Sequence, residues 1–132
     1  EILGPESVWD AINNLPVTRI GHGVRSIEDP HLMAELAKRD IALEVCPGSN
    51  IALSVYPDLA SHPLNRILKA GISISLNADD APFFATTVGS EYQSGAKDFG
   101  LDLEQLRDIS RMAMQASFAD ADTKIRLLAV IG

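Results

Sequence analysis

Three short apolar runs, each preceded by a helical pattern and each cut off by glycine or polar residues, limit what this chain can fold into more than any other feature. Val17, Thr18 and Ile20 run into a histidine held between two glycines, Gly21-His22-Gly23. Ile41 to Cys46 runs into Pro-Gly-Ser-Asn, and Ile72 to Leu76 into Asn-Ala-Asp-Asp. Enrichment in β-branched residues and abrupt turn chemistry are the marks of buried strands that end in loops. The stretches between them carry the other period. Pro5 to Asn14 has proline at a first helical position and Val8, Trp9, Ile12 and Leu15 on one face. Asp29-Pro30 pairs a cap with a first-turn proline, and Leu32, Met33, Leu36 and Ala37 recur at helical spacing before Lys38 and Arg39. Ser61 to Ala70 reads as a third helix closed by Gly71. Helix and strand thus alternate three times with short connections, which predicts right-handed parallel crossovers and an α/β fold.

After Asp80 the alternation stops. A helix is expected within 86–100, another over Leu103 to Ala116 with Leu106 and Ile109 inward, and a last one over Asp120 to Ile131. Three parallel strands do not close a barrel, which takes eight strands and about 250 residues. Left open, such a sheet exposes apolar edges. The sequence therefore predicts either a small doubly wound domain or part of a (β/α) barrel, and in both the chemistry collects at the C-terminal strand ends.

Composition narrows the ligand. The chain has 132 residues, 46% hydrophobic, with a formal net charge of -7. That balance, with no lysine or arginine cluster, excludes a phosphate-binding surface for nucleic acid and leaves a nucleoside open. One cysteine, Cys46, precludes an internal disulfide and fits a reducing compartment such as the cytoplasm. No apolar run approaches the roughly 18 residues of a membrane helix. The chain begins at Glu1 rather than methionine, as a piece of a longer protein would.

The strand ends offer His22, Pro-Gly-Ser-Asn, and the paired Asp79 and Asp80. By spacing alone the two acids read as a turn or cap before Pro82, and a histidine between glycines reads as a hydrogen-bonded structural residue. Adjacent carboxylates repel unless a cation sits beside them, and a metal ion is the most direct candidate. His31 at a helix start and His62 before a proline read as capping or surface residues. Cys46, without a Cys or His partner at metal spacing, reads as a buried structural thiol. Glu44, inside a strand, needs a cation or backbone donors.

Taken in order, Thr18 to Gly23 (TRIGHG), Ile27 to Pro30 (IEDP), Glu44 to Asn50 (EVCPGSN) and Ser75 to Asp80 (SLNADD) resemble the successive strand-end motifs of the adenosine deaminase family. The likeness spans essentially the whole chain. It implies a (β/α)8 barrel of which this chain supplies about strands six to eight and the closing helices. It also implies one Zn2+ and hydrolysis of adenosine to inosine and ammonia. Asp79 matches the family's zinc-ligand aspartate, and Asp80 the residue that hydrogen-bonds purine N7. His22 matches the histidine that orients and supports the attacking hydroxide. Glu1, 21 residues before His22, matches the glutamate that protonates purine N1. The family's three zinc-binding histidines match nothing here, so the resemblance implies an enzyme only in a longer parent, and an inactive fragment.

The sequence departs from the family at Gly48, where many members carry threonine or a larger residue, and at Ala81, where proline is common. The likeness leaves adenine and other 6-aminopurine nucleosides open as substrates. Two further expectations stand beside a purine nucleoside substrate: a half-barrel that self-associates through its open edges, and a small α/β binding domain without chemistry.

Overall fold

The computed structural model describes residues 2–132; Glu1, the expected proton donor, lies outside them. Three parallel strands, β1 (Arg19–Gly21), β2 (Ala42–Val45) and β3 (Ile74–Leu76), form one sheet in the order β1-β2-β3. Gly21 stands opposite Glu44, and Val45 opposite Leu76, so the C-terminal ends of all three strands share one rim.

Helix α1 (Pro5–Asn14) has Pro5 in its first turn and buries Val8 and Ile12. Its Trp9 Nε1 donates to Asp29 Oδ2 at 2.8 Å. Asp29 in turn caps α2 (Pro30–Lys38), accepting from the backbone N–H groups of His31 and Leu32. One carboxylate thereby docks one helix and starts the next, and the Trp9 hydrogen bond is the first reason that its pKa lies below the usual carboxylate range. A 3-10 helix, Val24–Glu28, links β1 to α2. It starts at Gly23, whose φ is +66°, and a Cβ there would lie 2.8 Å from the Leu43 side chain. Only glycine meets both demands.

Three elements differ from the sequence expectations. Pro-Gly-Ser-Asn does not form a loop but opens α3 (Pro47–Ala52), with Pro47 at the first position. The helix expected over 61–70 is α4 (Leu64–Lys69), because Pro63 caps it and the residues before it are held in turns. A short α5 (Ala81–Phe84) starts directly after Asp80.

The remaining helices are α6 (Val88–Lys97), α7 (Leu103–Ala116) and α8 (Ala121–Ile131). Asp102 and Gln105 close a reciprocal capping box at the start of α7. This helix packs against β3 and α8 packs against α7. Ile109 is fully buried, and Leu106 and Met112 flank it against the core. The core is one contiguous cluster that includes Leu32 and Leu36 of α2, Leu43 and Val45 of β2, Ile67 of α4 and Ile74 and Leu76 of β3. No helix among the described residues is long and apolar enough to cross a membrane.

Candidate active site

The strand-end rim carries His22 and Asp79. His22 directly follows β1 and Asp79 lies three residues after β3. Both adopt left-handed backbone, with φ of 57° and 56°. That region is unfavourable for residues with a Cβ, and such departures concentrate at functional sites. His22 is held there by its N–H, which donates to the Glu44 carbonyl at 2.9 Å.

The structure brings His22 and Asp79 together, with Nε2 3.5 Å from Oδ2. The Ser49 hydroxyl donates to the same Oδ2 at 2.7 Å. His22, Cys46 and Asp79 each place one ligand-type atom within 4.8 Å of the others, a nitrogen, sulfur and oxygen group of metal-binding size. Cys46 is buried, as expected of a structural thiol, and its Sγ lies 3.6 Å from the Glu44 carbonyl. Its nearness to the other two, however, was not legible from local spacing. Asp80 stays exposed at the cap of α5, where its carbonyl receives the N–H groups of Phe83 and Phe84. Its side chain makes no capping hydrogen bond to this helix.

Beneath the rim lies a second layer, in which the expected strand-end feature Pro-Gly-Ser-Asn is helical and buried and joins a histidine that was expected at the surface. Ser49 and Asn50, in α3, are completely buried. Asn50 bridges two histidines: Nδ2 lies 3.3 Å from His22 Nδ1, and Oδ1 lies 3.0 Å from His62 Nε2. His62, expected at the surface, is only 6% exposed. The edges and faces of Tyr56 and Phe99 enclose it, with ring centroids 5.2 Å and 5.6 Å away. Burial depresses its pKa to about 4, so it is neutral at physiological pH. It also serves a local capping role, since the Leu64 N–H donates to Nδ1 at 3.2 Å. His31, by contrast, is exposed in the first turn of α2, as expected.

Glu91 of α6 is a further buried polar residue, and burial raises its pKa against the opposing hydrogen bond from the Gly48 N–H at 3.2 Å. A Cβ at Gly48 would lie 2.5 Å from both Glu91 Oε1 and the Thr86 methyl. Gly48 therefore lets Glu91 pin α3 from outside. Glu44 finds its cation in Arg19, at 3.2 Å. The Arg19 guanidinium in turn lies over Phe118 at 3.9 Å.

The adenosine deaminase family model matches residues 1–132, the whole chain. This chain belongs to the adenosine deaminase family. Its sequence is 48% identical over 132 residues to the adenine deaminase of Agrobacterium fabrum, covering 100% of this chain and 41% of that protein. It is 47% identical over 131 residues to the adenine deaminase of Sinorhizobium medicae, covering 99% and 40%. Its fold matches the crystal structure of adenine deaminase from Arthrobacter aurescens with a TM-score of 0.95 at 28% identity, covering 98% of this chain and 40% of the other. An amidohydrolase from Burkholderia ambifaria, crystallised with bound Zn, matches with a TM-score of 0.87 at 25% identity, covering 98% and 36%. The chain spans about two fifths of the length of these curated relatives.

Proposed function

We propose that this chain is the C-terminal portion of a metal-dependent (β/α)8 deaminase, contributing about strands six to eight, and that the full-length protein hydrolytically deaminates a 6-aminopurine. The observation that carries this reading is the convergence of His22, Cys46 and Asp79 at the shared strand-end rim, where parallel α/β folds bind their ligands. Adenine is the first substrate to test, because the relatives named above at 47–48% identity are adenine deaminases. Adenosine, the substrate that the family resemblance first suggests, is the second.

Zinc accepts carboxylate oxygen beside imidazole nitrogen, so the Asp79 carboxylate, in a group of metal-binding size with His22 and Cys46, fits one place in its coordination shell. Bound there, zinc would supply a water acidic enough to ionise near neutral pH. Asp79 is the ligand in this proposal, with Ser49 fixing its Oδ2 and histidines outside this chain completing the set. His22 Nε2, beside Asp79, orients the attacking oxygen over purine C6. Glu1 gives a proton to N1, so that the ring accepts electrons as C6 becomes tetrahedral. Asp80 anchors N7. With adenosine, N7 carries only a lone pair, so the Asp80 carboxyl must itself supply the hydrogen; with free adenine the ring can carry it.

The test is a purine panel on full-length, zinc-loaded protein, with ammonia release measured for adenine and adenosine. Turnover of either at a rate that falls at least 100-fold in His22→Ala supports the proposal. Release of ammonia from neither purine refutes it.

A further inference from the structure

Below the rim, one unbroken path of side chains runs from a backbone amide to Asp79. The Leu64 N–H donates to His62 Nδ1 at 3.2 Å, so that nitrogen is an acceptor. His62 is neutral in its aromatic enclosure, and its one ring proton therefore sits on Nε2. The Nε2–H donates to Asn50 Oδ1 at 3.0 Å. This fixes which end of the Asn50 amide faces which histidine, an assignment that rests on the hydrogen-bond network. Asn50 Nδ2, a donor only, then faces His22 Nδ1 at 3.3 Å. His22 Nδ1 must accept, and its proton is left on Nε2, the nitrogen 3.5 Å from Asp79 Oδ2.

From this geometry we infer that Asn50 and His62 are positioning residues, which fix the tautomer of His22 and aim its N–H at the strand-end rim. The consequence for catalysis rests on the deaminase reading above; the tautomer itself does not. The arrangement suits its task because neither residue reaches the rim. Asn50 is completely buried, and His62 is wedged between Tyr56 and Phe99. The direction of the path is set by a peptide N–H that cannot reverse. A hydroxyl in place of Asn50 could donate or accept at either end; an amide with one end committed cannot. The three side chains come from separate parts of the chain, after β1, within α3 and before α4, and only the folded sheet aligns them.

The test is a long-range 1H–15N correlation spectrum of the full-length, zinc-loaded protein carrying 15N-histidine, with the His22 resonances assigned by their loss in His22→Gln. The expected wild-type result at neutral pH is a protonated Nε2 and an unprotonated Nδ1 on His22. Asn50→Asp keeps the shape but presents an acceptor to both histidines, so the His22 Nδ1 should become protonated. In this variant kcat should fall at least tenfold, with KM changing less than threefold. His62→Gln keeps an N–H donor near the Nε2 position and should retain the wild-type tautomer, whereas His62→Ala, which removes the donor, should let the Asn50 amide turn and mix the two tautomers. A wild-type His22 protonated on Nδ1 alone, or an unchanged pattern in folded Asn50→Asp, overturns the inference. If Asn50→Asp does not fold, the wild-type spectrum and His62→Gln decide it. Should the tautomer respond as described while no purine is deaminated, the inference stands and the proposed function falls.

Discussion

Two polar networks in this protein differ in contact length and in surroundings, one on an exposed helix face and the other ending in the buried pair Asn50 and His62. On the outer face of α7, Arg111 pairs with Glu104 at 2.8 Å and also with Asp108 and the Gly132 carbonyl. The Glu104 hydrogen bond is the main reason that the Arg111 pKa is raised. Under the strand-end rim, the path from Asp79 through His22 and Asn50 to His62 involves fewer charges and contacts of 3.0–3.5 Å. Judged by length and charge, the surface cluster is the stronger. Surroundings reverse that ranking. Exposed ion pairs exchange one set of solvated contacts for another and are screened, whereas removing one partner of a buried pair strands the other without water.

The comparison is sharpest in its response to pH. His62 has a folded pKa of about 4 against an ordinary 6.5. As pH falls below 6.5, the unfolded chain binds a proton that the folded protein refuses until about pH 4, so stability declines through that window. The stability attributable to His62 is fully present above pH 6.5 and is reduced by roughly 3 kcal/mol near pH 4. Urea melts at a series of pH values should show this slope in the wild type and lose it in His62→Gln. A wild-type slope that persists unchanged in the variant assigns the effect elsewhere.

The contact that holds α3 from outside gives the next effect. Gly48→Ala drives a methyl against Glu91 and Thr86, an overpacking expected to cost about 1–3 kcal/mol and to read as a lower urea midpoint at unchanged slope. A midpoint within error of wild type would show that the Glu91 carboxylate moves aside freely. The smallest effect belongs to the surface. Glu104→Ala should change stability by less than about 1 kcal/mol, and 1 M NaCl should reduce even that difference. A loss equal to that of Gly48→Ala would break the contrast between the two regions.

How much of this was legible in the sequence follows the same division. The strand bodies and long helices were readable because their signals are local. Val17 to Ile20, Ile41 to Cys46 and Ile72 to Leu76 combine strand propensity with abrupt stops, and α1 and α7 match the expected bounds of Pro5–Asn14 and Leu103–Ala116. The rim residues His22, Asp79 and Asp80 were legible because they punctuate those strands. In the layer beneath, Pro-Gly-Ser-Asn was legible as a strand-end feature, but its helical form and burial were not. Pro47–Ala52 is too short to show a helical period, and Ser49 and Asn50 favour turns on their own. In the fold Pro47 stands at the first helical position and their side chains bond Asp79, His22 and His62. His62 lay before a proline, in what read as a surface position. Its burial depends on Tyr56 and, far along the chain, Phe99. The apolar Leu59 and Leu64 around it were the one local hint. Glu91, in a helix with little apolar character, gave no sign that its carboxyl would be buried against Gly48.

On the function proposed above, the rim beside Asp79 holds a metal in the full-length protein. Zinc content per protomer, measured by plasma mass spectrometry on wild type and Asp79→Ala purified in parallel, tests it most directly. One zinc in the wild type, with at least a tenfold loss in the variant, is the predicted result. Stoichiometric zinc retained in folded Asp79→Ala, or a wild type without metal that still deaminates purines, would contradict it.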